Sequence, residues 1–210
     1  MKTTLLASCA FLFIFLQSCG SGGSDTYLLN NAEGLKGLQT NLIEEFGGDR
    51  AVYGLDLTTK DHLTSEFEMA TITYVENGKA YSQSYITGPY GVKIEPTEVK
   101  DIVKNESFFK DKKGKIKIKD LDLTVILENY NKAIKMIEST TDQFSNFHMK
   151  DFNIDVTNDN KVKVKFVIEG EKPDGKTTYY GERVRNTNTF QFEFKADENN
   201  VLKSTEGLEG

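Results

Sequence analysis

Val162-Lys163-Val164-Lys165-Phe166-Val167-Ile168 is the clearest alternation in the chain, with Val162, Val164, Phe166 and Ile168 at every second position. Successive strand side chains point to opposite faces, so this spacing predicts a strand with one face buried. Upstream, Met149 and then Phe152, Ile154 and Val156 predict a preceding strand. Before it, Leu123, Ile126, Leu127, Tyr130, Ile134 and Ile137 share one helical face, and Asp122 is placed to cap it. Downstream, Pro173-Asp174-Gly175 carries turn chemistry. Thr177 to Asn186 then reads as a returning strand, and Phe190, Phe192 and Phe194 alternate as a last one.

The first half repeats this order. Asn31 is placed to cap a helix over Ala32 to Phe46, in which Leu35, Leu38, Leu42, Ile43 and Phe46 share a face. Gly34 and Gly37 weaken that helix, and Gly47-Gly48 ends it. Tyr53, Leu55 and Leu57 alternate. Leu63, Ser65, Phe67 and Met69 do so next, and Ile72 and Tyr74 continue in the opposite phase, which predicts a bulge near Met69-Ala70. Asn77-Gly78 is a hairpin turn, because both residues tolerate positive φ. Ala80 to Thr87 returns and Gly88-Pro89 breaks the strand.

Both halves therefore read helix, strand, strand, turn, strand. Leu55 and Phe152, Leu57 and Ile154, and Gly78 and Gly175 are each 97 residues apart, whereas Phe46 and Ile137 are 91 apart. The expected fold class is α+β, with two helix-plus-antiparallel-meander units in tandem. One continuous α+β domain whose elements merely recur is the other reading. A helix followed by a meander buries its apolar stripe on one sheet face. This element order resembles the cystatin-like class and, in tandem, the β-lactamase-inhibitor-protein type of periplasmic fold. The resemblance lies in element order, without a motif. It implies a non-catalytic protein that binds other proteins or cell-wall-associated ligands.

The N-terminus carries an address. Lys2 is followed by a mostly apolar run from Leu5 to Leu16, shorter than the roughly 20 residues that span a bilayer. It fits the apolar region of a signal peptide. Leu16-Gln17-Ser18-Cys19, followed at once by Gly20, resembles a bacterial lipobox. The resemblance implies cleavage between Ser18 and Cys19, and lipidation of Cys19 by a diacylglyceryl group and often a further acyl chain such as palmitate. Leu6-Ala7-Ser8-Cys9 also fits the pattern, but leaves almost no apolar region before it. With Cys9 removed and Cys19 lipidated, the mature chain has no thiol for a disulfide or a zinc site. Gly20 to Asp25 reads as part of a flexible tether with a reach of about 20 Å. No Asp stands directly after Cys19 and no acidic cluster follows it, which favours the outer membrane, facing the periplasm.

Loss of residues 1–18 removes Lys2 alone among the charged residues, so the formal charge moves from −6 to −7. That balance argues against nucleic-acid binding. Against it stands one basic run. Lys110, Lys112, Lys113, Lys115, Lys117 and Lys119 face only Asp111, and Ile116 and Ile118 alternate with the last three lysines. One reading is an edge strand guarded by lysine; the other is contact with anionic headgroups or an acidic partner, each Lys near a membrane being worth about 1 kcal/mol.

No catalytic or metal constellation is expected, and no cofactor. His62 and His148 are the only histidines, neither near a Gly-x-Ser-x-Gly nucleophile. The acidic pairs Glu44-Glu45, Asp120-Asp122 and Asp197-Glu198 sit at solvated places. Asn158-Asp159-Asn160 matches only part of a calcium loop and reads as a turn. Tyr81, Tyr85, Tyr90, Tyr179 and Tyr180 read as sheet packing, or else as a sugar-binding face.

The chain thus divides into a signal peptide (1–18), lipidated Cys and tether (19–31), a first α+β unit (32–94), a connector with the lysine-rich strand (95–119), a second unit (120–203) and a tail (204–210). The expected function is a membrane-anchored envelope lipoprotein that binds or scaffolds a protein partner without catalysis. An inhibitor or immunity lipoprotein that blocks a periplasmic enzyme or toxin, and a cell-wall or glycan hydrolase, are the alternatives.

Overall fold

A computed structural model describes residues 26–60, 63–88, 91–99, 114–179 and 183–205, with backbone only for 177–179 and 183–187. The expected signal peptide, Ser18, Cys19 and the expected tether up to Asp25 lie outside these residues, as do Lys110, Lys112 and Lys113.

Helix α1 (Ala32–Phe46) starts where the Asn31 side chain accepts hydrogen bonds from the backbone N–H groups of Glu33 and Gly34. It stops at Gly47, whose φ of 86° only glycine adopts without strain. Helix α2 (Thr124–Thr140) begins beside Asp122, whose Oδ1 accepts from the Thr124 backbone N–H and hydroxyl. Buried α1 residues Leu35, Leu38, Leu42 and Phe46 and buried α2 residues Ile126, Asn129, Ala133 and Ile137 stand 91 positions apart, one for one.

The strands are β1 (Ala51–Val52), β2 (Gly54–Thr59), β3 (Phe67–Glu76), β4 (Lys79–Ile86), β5 (Val92–Lys93), β6 (Thr97–Glu98), β7 (Ile116–Lys117), β8 (Ser145–Val156), β9 (Val162–Tyr179), β10 (Arg183–Ala196) and β11 (Leu202–Ser204). Nine of them form one antiparallel sheet in the order β11-β10-β9-β8-β2-β3-β4-β5, with β6 also paired to β4. The fold is thus mixed, helices with a large antiparallel sheet. β2 and β8 form its central seam, where Asp56 faces Asn153, Leu55 faces Ile154 and Leu57 faces Phe152.

The apolar stripes of both helices and the inner sheet face form a single core. It includes Leu38, Leu42, Phe46, Leu55, Leu57 and Phe67 from the first half, and Tyr130, Ile137, Phe152, Ile154, Val164 and Phe166 from the second. Ile134, expected in this core, is only half-buried, and Ala133 takes the buried position instead. Ile137→Ala is therefore expected to cost about 2–5 kcal/mol and Ile134→Ala about 1 kcal/mol. Equal losses in urea unfolding would contradict this placement of the helix.

Several local expectations are corrected. Leu63 and Ser65 precede β3 instead of belonging to it. Leu63 has φ 48°, and the Ser65 hydroxyl oxygen accepts from the Met149 N–H. The bulge in β3 falls at Glu68, because Thr58 pairs with Met69 and Thr59 with Phe67. Asn77 and Gly78 form the expected hairpin turn, with φ of 50° and 77°. Pro173-Asp174-Gly175, by contrast, is not a turn. β9 runs through it to Tyr179, paired with Arg183, and Gly175 (φ 78°) lies where the register shifts between Arg185 and Thr187. Thr177–Tyr179 thus belong to the outgoing strand, and the match of Gly78 with Gly175 does not reflect equivalent structure. A further strand, β11, follows Phe194 and was not expected.

Candidate functional site

Both helices cover one face of the sheet, and the register fixes what the other face presents. Opposite the buried positions of β2, β3, β8, β9 and β10 stand two rows. One runs Ser84, Thr71, Asp56, Asn153, Lys165, Lys195 and Lys203; its neighbour runs Ile86, Met69, Thr58, Asp151, Val167 and Glu193. This open face is polar, with carboxylates towards the seam and lysines on β9 to β11.

Two lysines of β9 find partners: Lys165 lies 3.2 Å from Glu193, and Lys163 lies 3.2 Å from Glu198. Asp56 forms no ion pair among the described residues. Partial burial between its neighbouring strands raises its pKa, and repulsion from Asp151 and Asp155 raises it further. Burial likewise raises the pKa of Asp151, against the pull of Lys150 and Lys165. A carboxyl whose pKa is raised on folding favours the fold below the unfolded value of 3.8. That contribution is lost as pH rises through the folded pKa. Asp56→Asn is therefore expected to be more stable than the parent at pH 7, by at most about 1 kcal/mol because water screens the site. The difference should vanish near pH 3 in paired thermal melts; a variant less stable at pH 7 would contradict the repulsion.

The open face is indented where β2 ends. There the chain leaves the sheet at Lys60, β8 carries an extra residue at Lys150, and Thr59, Glu169, Thr189 and Gln191 complete the wall of a cleft of about 340 Å³. Glu169 is only 9% exposed. Its Oε1 lies 3.3 Å from Lys150 Nζ and accepts from Gln191 Nε2 at 3.0 Å. Such partners offset the cost of taking a carboxylate out of water. Sequence spacing places Asp56 and Asp155 on one strand face each, but it does not reveal that β2 lies beside β8. The Glu169 cluster was missed for the same reason.

The residues singled out from sequence lie elsewhere. Lys115, Lys117 and Lys119 are exposed while Ile118 is buried, as the alternation implied. Among the described residues, Ile116–Lys117 pairs with β1 in a two-stranded ribbon apart from the large sheet, and passes into a short 3₁₀ helix over Ile118–Asp120. Lys117 and Lys119 both bind Asp49, at 2.9 and 2.7 Å. These two ammonium groups hold the Asp49 pKa down to about 2. Part of the basic run is thus already matched by an acid.

His62 lies outside the described residues, and His148 is half-buried on β8, opposite Glu169. Each acidic pair is engaged locally. Glu45 is 3.8 Å from Lys93, Asp122 caps α2, and Asp197 accepts from the N–H groups of Asn199 and Val201 in a turn. Asn160 (φ 62°) closes the β8–β9 turn and accepts from the Lys115 N–H. No group of three or more potential metal ligands occurs among the described residues. Tyr81 stacks on Tyr74 with centroids 5.7 Å apart, and Tyr85 is buried with its hydroxyl against Asn41. Both belong to sheet packing. Tyr90 and Tyr180 lie outside the described residues. No helix among the described residues is long and apolar enough to cross a membrane.

No protein-family model matches this chain, and neither does a curated protein or a solved structure.

Proposed function

We propose that this chain is a lipid-anchored bacterial envelope protein that binds a protein partner through the open face of its sheet and performs no chemistry. The observation that carries the anchor is Leu16-Gln17-Ser18-Cys19 at the end of an apolar run, followed by the Gly20–Asp25 tether. Six residues at roughly 5–6 Å times the square root of length reach only about 13 Å, so the tether keeps the body near the membrane, on the periplasmic side of an outer membrane in this reading. Support for binding comes from the breadth of the polar face, which crosses strands β2 to β4 and β8 to β11.

The two halves are further inferred to be tandem units, as in the β-lactamase-inhibitor-protein type of fold that the element order resembles. In support, the seam pair Asp56 and Asn153 are 97 residues apart, so a local twofold there exchanges Leu55 with Phe152 and Leu57 with Ile154. The 91-residue match of the buried helix positions agrees.

Cys19→Ala is expected to abolish incorporation of a labelled fatty acid and to leave unprocessed or released protein. Labelling that persists in this variant would overturn the assignment to Cys19. For the partner, cross-linking in cells should join the open face to one envelope protein in stoichiometric yield. Cross-links scattered over many proteins would contradict a specific binding face.

A further inference from the structure

We propose that the cleft around Glu169 is a binding site for a neutral polyhydroxylated ligand the size of one sugar ring. The inference is independent of the lipid anchor and of the protein partner. Three backbone irregularities converge on the cleft. The register of β2 shifts between Thr58 and Thr59. β8 shifts between Met149 and Asp151, which leaves Lys150 as an extra residue. Leu63 takes a left-handed conformation at φ 48°. Such departures re-aim side chains and recur beside sites. Here the bulge brings Lys150 to Glu169, and the Thr59 hydroxyl clamps it by donating to the Lys150 carbonyl at 2.9 Å.

The hydrogen bonds are lopsided. Gln191 Nε2 donates to Glu169 Oε1, and Lys150 Nζ lies 3.3 Å from that same oxygen. Among the described residues no hydrogen bond goes to Oε2, which lies beside an open volume of about 340 Å³. The volume is near the lower end of small-ligand clefts, roughly 300–1,000 Å³, which suits one ring better than a chain.

Charge selects the ligand class. Among the described residues Lys150 is paired with Glu169 inside the cleft and Lys60 with Glu66 at its rim, so both lysines are already matched by a carboxylate. An anion or a cation would gain little there. Acceptor-only Oε2, donor-only lysine and the amphoteric Thr189 hydroxyl lie side by side, a mixture that hydroxyl groups, which both donate and accept, can satisfy together. Leu63 supplies an apolar wall for the C–H face of a ring.

The test is an NMR titration of the full chain in detergent with methyl glucoside, N-acetylglucosamine, glycine and inorganic phosphate, each to about 10 mM, for an expected Kd of about 1 mM. Either sugar should shift the amides of Lys150, Glu169 and Gln191. Glu169→Gln should weaken binding roughly tenfold, because the ligand loses a charged acceptor. Thr189→Val, at an exposed position that the fold does not need, should weaken it severalfold with the spectrum otherwise intact. Shifts with glycine or phosphate but not with either sugar would overturn the ligand class. No shift at the cleft with any of the four, or sugar binding indifferent to both variants, would overturn the site.

Discussion

Phe166→Ala is expected to destabilise the protein by about 3–5 kcal/mol. Phe166 is fully buried in the first third of β9, between Phe152 on β8 and Phe194 on β10. Its ring centroid lies 5.3 Å from that of Phe152 and 5.4 Å from that of Phe194, with interplanar angles of 23° and 19°. The three rings form one stacked row across three hydrogen-bonded strands. Ladders on both sides of β9 prevent the backbone from collapsing into the space left by the middle ring, so most of the cavity should persist. Guanidinium unfolding should show a lower midpoint with an unchanged slope, the mark of a stability change. Lys165→Ala, one residue away on the open face, should stay within about 0.5 kcal/mol, because its pair with Glu193 is exposed. If Phe166→Ala costs no more than Lys165→Ala, the packing argument fails.

Gly34→Ala is expected to destabilise by about 2–3 kcal/mol, against the sign that helix propensity assigns. In a helix interior, alanine is favoured over glycine by about 1 kcal/mol. A Cβ on Gly34, however, would stand 2.5 Å from both the backbone N and O of Leu28. Those atoms belong to an extended segment that docks on α1. Leu28 bridges to Glu66, Leu29 N–H donates to the Ser65 carbonyl, and Phe67 N–H donates to that of Tyr27. Leu29 is fully buried there, and its burial alone is worth roughly 1.5–3 kcal/mol. A methyl group at Gly34 must push the segment away, and the lost burial and hydrogen bonds outweigh the propensity gain. Gly37 plays a related part, since a Cβ there would meet the Tyr27 ring at 2.8 Å. Lys36→Ala, on the exposed side of the same helix, is the control and should change stability little. A thermal melt in which Gly34→Ala is more stable than the parent would show that the segment does not dock this closely.

The two glycines illustrate where reading by pattern loses its grip. From spacing alone they are flaws in a helix; in three dimensions they are the floor on which residues 26–29 rest. Asn77-Gly78 and Pro173-Asp174-Gly175 make the same point with opposite outcomes. Both carry turn chemistry. Asn77-Gly78 closes a hairpin because Glu76 and Lys79 pair across it. Gly175 instead sits in a bulge, because the pairing of β9 with β10 continues to Tyr179 and Arg183. Ile134 and Ala133 differ similarly, since a helical stripe is wide enough to hold either and only the sheet beneath selects one.

Helix α1 from Ala32 to Phe46, the Asn31 cap, the stop at Gly47 and the alternation of β8 and β9 were legible from residues alone. They rest on hydrogen bonds and side-chain directions that span a few positions, and the chain carries those wherever it folds. The seam is of another kind. Asp56 meets Asn153 across β2 and β8, and Glu169 meets Lys150 and Gln191 across β8, β9 and β10. Strand alternation names the face on which each of these side chains stands, but not the strand that lies beside it. That choice was made when two helices and both meanders buried their apolar stripes in one core, and the open face and its cleft exist only as a consequence of that packing.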